Sequence, residues 1–468
     1  MTRAVVLGGG FAGLAAGVAL AERGIAVTVC EARGRLGGRA HSFHDAATGT
    51  VLDNGQHAML GCYTETLDFL GRIGAAGKLV RQPSLRVEFA DPTLGRGALA
   101  CPGWPSPLHV LAGLLGYRLL ARRERLLALA GGTRLLAMRR GRDPRLGSGT
   151  VEQVLIGLGQ SSHARRCFWD PLVFATLNEQ PARAAAAPLA EVLARAFFGS
   201  RRDSQFVLPR VGLSELYTDD ARRFIEARGG RVTTGAKAAA LVVRDGRCAG
   251  VMLRDGRTLD ADACISTLPP PALGALLPPA LRPPGLERLD PSPIVSAHVW
   301  LDRPVLPADF VGLLGTTTQW AFSRTRLAAA PPPGARVPPG ARLPPAGRGT
   351  AVAGGHDGGE LVSAVISAGR EAVGWDAEAI ADRVVADLRA ALPAARLAAV
   401  RRTVVVKERF ATTAPTPEAE RLRPPPDTAL AGFWLAGDWT ATGLPPTIES
   451  AVASGRRAAA RLVARLAV

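Results

Sequence analysis

The start of the chain constrains its fold more than any other segment. Residues 4–13 read AVVLGGGFAG, a short apolar strand running into Gly8, Gly10 and Gly13 in GxGxxG spacing. An Ala-rich helix, LAAGVALAERG, follows to Gly24, and a second strand, IAVTVCE, ends on Glu31. Each glycine has a mechanical reason. Gly8 allows a tight turn, Gly10 lets a pyrophosphate approach the backbone, and Gly13 lets helix and strand pack closely. The helix N-terminus then offers free N–H groups to the anion. Glu31 falls about 20 residues beyond the glycines, where a carboxylate can accept from a ribose hydroxyl. A glycine triplet alone is a weak signal. Strand, glycines, helix, strand and acid in register predict a dinucleotide-binding α/β unit.

The rest of the chain sets the scale. Its 468 residues exceed one compact core, so two domains, or one with a large insert, are expected. With 47% hydrophobic and 21% charged residues the composition is globular. The net charge of +17 is carried almost wholly by arginine. An acidic partner (anionic lipid, a diphosphate or nucleic acid) and a genome-wide bias toward Arg and Ala both account for it. Nucleic acid is discounted, because aromatic residues make up only 5% and no basic helix interleaves them. The six cysteines are scattered, with no CxxC pair and no zinc spacing, so reduced thiols and a cytoplasmic location are expected and no metal. The apolar run Ala4 to Leu7 is too short for a signal peptide, and no window reaches the ~18 apolar residues of a spanning helix.

A second glycine motif chooses the cofactor. Gly37-Gly38-Arg39 follows Glu31 within ARGRLGGRAHSF. It resembles the motif that lies along the FAD pyrophosphate in FAD-binding amine oxidases and phytoene-desaturase-like enzymes, where the arginine faces the cofactor. Near the other end stands LAGDWTATGLPPTIESAVASG, residues 435–455, which reads as strand, Gly-Asp turn, loop and helix. The resemblance implies that Gly437 and Asp438 contact the sugar-phosphate side of the flavin. It also implies that the helix opening at Thr447-Ile448 points at the flavin's pyrimidine edge. A helix N-terminus there would stabilise the negative charge of reduced flavin. Asp438 can equally be read as a turn former or cap.

Between the ends, residues 208–270 read as a helix to Gly229-Gly230 and then strands joined by Asp-Gly turns at 245–246 and 255–256. By resemblance, the backbone of Ala238 lies near the adenine. The expected fold class is α/β: a Rossmann-type FAD-binding domain with a discontinuous substrate domain. The FAD-binding part is expected at 1–80, 205–272 and 400–468, and the substrate part at 81–204 and 273–399. Residues 330–349, rich in Pro, Gly and Arg, are expected as a flexible surface loop. Residues 104–141 place leucines at helical spacing among arginines. This suits either a membrane-associating face or a core helix pair with a solvated arginine face.

Four blocks, VLDNGQHAMLGCY, PLVFATLNEQP, LPRVGLSELY and GDWTATGLPPTIES, are similar to the squalene-associated FAD-dependent desaturases, now understood as hydroxysqualene dehydroxylases. The resemblance covers most of the chain. Methionine in MLGCY and the Pro-rich run depart from the family pattern. The resemblance implies loss of the hydroxyl of hydroxysqualene, with reduced FAD giving the hydride, in squalene and hopanoid biosynthesis. It further implies a long-chain isoprenoid substrate supplied by squalene-pathway synthases; the 104–141 face, read as membrane-associating, would make the protein peripheral on the inner face of the cell membrane. A departing hydroxide needs a general acid. His57, in the NGQH loop, is the first choice, on the pKa range of histidine. An Asn-Gly-Gln-His turn bonding its own backbone is the alternative. Glu179 and His298 are further choices. Asn54, Gly55 and Gln56 would orient flavin or substrate. Two rival activities share the fold: a carotenoid or squalene desaturase, and an amine oxidase. The latter usually needs a flavin-facing lysine and an aromatic cage, and this chain has three lysines and three tyrosines.

Overall fold

A computed structural model of the protein describes residues 2–329 and 358–466. The Pro/Gly/Arg run expected as a loop at 330–349 lies outside the described residues.

The first sheet is parallel and five-stranded. Its spatial order is Arg231–Thr233, Ala26–Cys30, Arg3–Leu7, Ala263–Ser266 and Phe433–Leu435. The strands are short runs of Val, Ile, Ala and Cys, buried on both faces, as a sheet sandwiched between helices requires. Helix Phe11–Ala21 is buried along its whole length. Only a surface of Ala and Gly lets its neighbours come this close. A Cβ on Gly455 of the C-terminal helix Ile448–Leu466 would lie 2.1 Å from the Ala12 carbonyl oxygen. On another side, helix Leu213–Glu226 packs with Ile225 against Gly17. The expected Asp-Gly hairpin is present: Ala238–Arg244 pairs antiparallel with Arg247–Leu253, and Asp245 and Gly246 both take positive φ, as a type I′ turn demands.

The second sheet has seven strands, in the order Val400–Thr413, Pro291–Leu301, Glu360–Ile366, Trp320–Ser323, Phe310–Leu313, Arg86–Asp91 and Gly95–Ala100. The 14-residue strand Val400–Thr413 pairs along almost its full length with Pro291–Leu301. The boundary expected at 400 therefore falls at the wrong end of this strand, which the hydrogen-bond ladder assigns to the second sheet. The chain rejoins the first sheet only at Phe433.

Residues 108–198 form helices packed over the second sheet through a core that includes Tyr117, Trp169, Phe310 and Trp320. The two leucine-rich helices of 104–141 behave differently. Helix Arg122–Arg140 turns Leu135, Leu136 and Met138 into the core. Helix Leu108–Leu115 buries only His109, Gly113 and Leu114. Among the described residues no helix is long and apolar enough to cross a membrane.

Candidate functional site

The glycine loop meets its geometric requirements. Gly8 has φ of +108°, and a Cβ there would sit 2.4 Å from Thr267 Oγ1. A Cβ on Gly13 would lie 1.8 Å from the Gly8 carbonyl oxygen. Gly10 differs, because a Cβ there meets no protein atom nearer than 3.7 Å. Internal packing does not demand glycine at this position, which leaves close approach of a ligand as the physical reason. Helix Phe11–Ala21 starts directly after Gly10 with no side-chain cap, so its first N–H groups remain available to an anion. Glu31 is buried and accepts from the Gly9 N–H at 2.7 Å and the Arg33 N–H at 2.8 Å. Those bonds fix its carboxylate beside the loop. The expected adenine-side residue Ala238 follows a segment that brackets Glu31, in which Glu31 N–H donates to Thr233 O and Ala236 N–H donates to Glu31 O.

The second motif docks on the first. Gly37 N–H donates to Gly9 O at 2.9 Å, and Gly37 and Gly38 both take positive φ. Arg39 then reaches across the fold to Asp438, 399 residues away in sequence, and its guanidinium pairs with both carboxylate oxygens. Burial alone would lower the pKa of Arg39. The charge and hydrogen bond of Asp438, with Glu408 further off, reverse this and hold it above its ordinary value. The two cofactor motifs predicted at opposite ends of the chain are thus one ion-paired constellation.

Sequence reasoning missed the residue that shapes the C-terminal turn. Arg423 is buried and donates to the carbonyls of Thr440, Leu444 and Asp438, at 2.9, 2.7 and 2.8 Å. It also pairs with Glu420. One guanidinium therefore sets the path of the loop that carries Asp438. Gly437 takes φ of +134° and gives its N–H to Ser454. Thr447 caps the C-terminal helix, its hydroxyl 3.5 Å from the Ser450 N–H nitrogen, and Ile448 is the first helical residue. Glu449 ties that first turn to Glu65 N–H and to the N–H and hydroxyl of Thr66. A cavity adjoins this end, lined by Leu60, Tyr63, Val192, Leu444, Pro445 and Thr447.

The NGQH loop is held from beneath. Asn54 donates to the Arg39 carbonyl at 2.7 Å and to Glu408 at 3.1 Å, so it links this loop to the Gly-Gly-Arg motif. Gly55 lies over Ser296. Gln56 accepts from Arg324 Nη1 at 3.0 Å through Oε1, and its Nε2 donates to the His57 carbonyl at 3.4 Å. Arg324 is itself buried, with Nη2 3.5 Å from Asp53 Oδ2. His57 Nδ1 lies 2.8 Å from the Gly55 carbonyl oxygen, so that nitrogen carries the hydrogen and Nε2 is left free. Burial lowers the pKa of His57, against the Gly55 hydrogen bond and the negative charges of Asp53 and Glu408.

Two expected catalytic residues are corrected. His298 is buried in the second sheet. Its Nε2 donates to the Asp53 carbonyl at 2.9 Å, and its Nδ1 accepts from the Ser363 hydroxyl at 2.8 Å. Both ring nitrogens are spent on structure, and burial pushes the pKa down to about 4. Glu179 is also buried. It accepts from the Gln180 N–H and is ion-paired with Arg370 and Arg183. The LNEQP block is structural: left-handed Asn178 donates to Ser292 O and Thr412 Oγ1 and accepts from Ala368 N–H, which bolts the helices to the second sheet. Of the lysines, Lys78 bonds Asp220 and Glu215 O, Lys407 bonds Trp375 O, and Lys237 is exposed. No group of three or more His, Cys, Asp or Glu that could hold a metal occurs among the described residues.

The open cradle at Gly10, the uncapped helix and the Arg39–Asp438 pair fit a flavin dinucleotide. The fold and site define an FAD-dependent oxidoreductase with a Rossmann-type domain and a separate substrate-binding region. Comparison with known proteins agrees. The model of the flavin containing amine oxidoreductases matches residues 11–463. A hydroxysqualene dehydroxylase of Rhodopseudomonas palustris is 30% identical over 97% of this chain and 96% of its own length. A 15-cis-phytoene desaturase of Synechococcus elongatus is 23% identical over 99% and 96%. Among solved structures, an oxidoreductase from Methanosarcina mazei superposes with a TM-score of 0.74 at 19% identity, over 98% of this chain and all of that one. The chain belongs to the flavin containing amine oxidoreductase family, among its hydroxysqualene dehydroxylase-like sequences.

Proposed function

We propose that this chain reduces hydroxysqualene to squalene with loss of water, in squalene and hopanoid biosynthesis, working in the cytoplasm against the inner face of the cell membrane. The observation that carries the reading is the end-to-end likeness to hydroxysqualene dehydroxylases. FAD, when bound and reduced, supplies the hydride. The glycine loop and Arg39 would hold the cofactor's anionic middle, and Asp438 would orient Arg39 and accept from the sugar hydroxyls on the flavin side. The N-terminus of helix Ile448–Leu466 would offer its positive end to the flavin's pyrimidine edge.

The remaining roles belong to the NGQH loop. Arg324 fixes which way the Gln56 amide faces, one amide hydrogen goes to the His57 carbonyl, and the other would donate to an oxygen of flavin or substrate. His57 in its charged form presents Nε2–H to the departing hydroxyl. The proton and the hydroxyl leave as water, and the hydride replaces the hydroxyl on carbon. Burial lowers the pKa of His57, so its charged form gives up the proton more readily than an ordinary imidazolium. An apolar enclosure around the reacting carbon would keep water from an allylic cation-like transition state.

A second reading, desaturation with hydride moving to oxidised FAD, is favoured by the full-length likeness to phytoene desaturase. One experiment separates the two. The protein is photoreduced without oxygen, hydroxysqualene is added in detergent, and flavin absorbance and squalene are followed together. Reoxidation matched by squalene supports the dehydroxylase. A flavin that stays reduced, with no squalene, overturns it and moves the test to oxidised protein with polyene precursors.

A further inference from the structure

Helix Leu108–Leu115 leaves one face uncovered. Leu108, Leu111 and Leu115 recur at three- and four-residue spacing and are 50%, 39% and 42% exposed, and Trp104, just before them, is 56% exposed. Phe198, 40% exposed, belongs to the same patch, because Ser106 Oγ donates to the Phe197 carbonyl at 3.1 Å. Single exposed apolar side chains are ordinary, but five large ones side by side are not.

The rim of the patch is cationic. Arg118, Arg122, Arg123 and Arg202 are exposed. Arg201 donates to the Gly103 carbonyl at 3.1 Å, which sets it beside Trp104. The nearby carboxylates are committed elsewhere: Glu124 accepts from Ala121 N–H and Ser161 Oγ, and Asp203 accepts from Ser200 N–H. This charge decides the occupant. A second copy docking by two-fold symmetry would bring the same arginines against one another. A bilayer with anionic headgroups brings phosphates to the rim and acyl chains to the centre.

We propose that Trp104, Leu108, Leu111, Leu115 and Phe198, with their arginine rim, form the surface by which this protein docks on an anionic lipid bilayer. The patch also adjoins the cavity at the C-terminal helix. Arg195 lines that cavity, and Phe198 follows it by one turn on the same helix. Cys62, on another wall, gives its N–H to the Asp203 carbonyl at 3.0 Å, two residues from Arg201. Docking at this face would bring an apolar substrate held in the bilayer close to that cavity. This last point rests on the isoprenoid reading above; the docking itself does not.

The test uses the FAD-loaded protein and flotation with phosphatidylcholine vesicles, with and without phosphatidylglycerol. The expected result is binding to the anionic vesicles that weakens in high salt. The triple change Leu108→Ser, Leu111→Ser, Leu115→Ser should abolish it. The triple change Arg118→Gln, Arg122→Gln, Arg123→Gln should weaken it about a hundredfold, at roughly fivefold per arginine. Leu397→Ser, at a site 74% exposed elsewhere on the surface, should change nothing. If the leucine variant loses its flavin, Trp104→Ala and the arginine variant decide. Three outcomes overturn the proposal: no binding by the unaltered protein, equal binding by the variants, or a concentration-dependent dimer lost in the leucine variant without vesicle binding. Squalene formation in detergent is scored separately, so a failure there with vesicle binding intact refutes the activity and not the docking.

Discussion

Replacing His298 with glutamine tests whether this residue belongs to the chemistry or to the frame beneath it. In the folded protein the ring is neutral, with a pKa of about 4, and burial is the main cause. Unfolded, it titrates near 6.5. Between those values the unfolded chain binds the extra proton and the folded one does not. Stability is therefore intact above pH 6.5 and falls as the pH drops toward 4. At 1.36 kcal/mol per pH unit, the whole interval amounts to about 3 kcal/mol, of which about 2 kcal/mol is gone by pH 5. Glutamine cannot titrate. At pH 7.5 the variant should be less stable by about 1–3 kcal/mol, since it cannot serve both Ser363 and the Asp53 carbonyl with imidazole geometry. On going to pH 5, however, it should lose about 2 kcal/mol less than the parent. Urea unfolding of the FAD-loaded protein at the two pH values gives both numbers, and the other histidines cancel in the difference. Identical pH slopes in parent and variant would refute the argument. So would a variant that is folded and flavin-loaded yet has lost turnover, because His298 would then act in the reaction.

Arg423→Met should orphan the buried Leu444 carbonyl, leave those of Thr440 and Asp438 with only Thr442 N–H and Ser450 Oγ, and release the Asp438 loop. We expect FAD affinity to fall about tenfold by fluorescence titration, since one orphaned carbonyl costs about 1–3 kcal/mol. For the unaltered protein, kcat/KM should rise as pH falls, with an apparent pKa below 6.5, while His57→Gln should show a flat and slow profile; a rise with increasing pH would exclude His57 as the acid. Glu179→Gln should keep turnover per folded molecule and cost about 2 kcal/mol in denaturant unfolding, because Arg370 loses its charge partner. Gly455→Leu, placed against the Ala12 carbonyl, should leave little soluble flavoprotein; normal yield and absorbance would show that the two helices can part.

What was legible in the sequence was whatever a local pattern dictates. The glycine spacing meets local demands, a positive φ at Gly8 and room for close packing at Gly13, and the Asp245-Gly246 hairpin is equally local. The pairing of Arg39 with Asp438 was half legible. Each motif pointed at the same cofactor, but nothing within either one says that the two side chains meet. Arg423 carried no signal at all, since an arginine ahead of three prolines reads as surface charge, and only the fold turns it inward. The errors share a cause. Glu179 and His298 were singled out for their chemistry, yet reactivity depends on what a side chain faces, and neighbours distant in sequence decide that. Residues 400–413, expected with the FAD-binding part, instead pair with Pro291–Leu301 in the second sheet, a long-range partner that no local pattern names.

The Arg39–Asp438 pair also orders events during synthesis. The glycine loop is synthesised well before its clasp, which arrives with Asp438, 399 residues after Arg39, and the helix that locks against Ala12 arrives with Gly455. Until then the emerging chain has no complete grip on a flavin, and its first strands wait for partners hundreds of residues downstream. Translation cut short before residue 438 would yield a polypeptide unable to retain the redox group. Aborted chains would therefore not accumulate as half-built flavoproteins that draw electrons without delivering them to substrate.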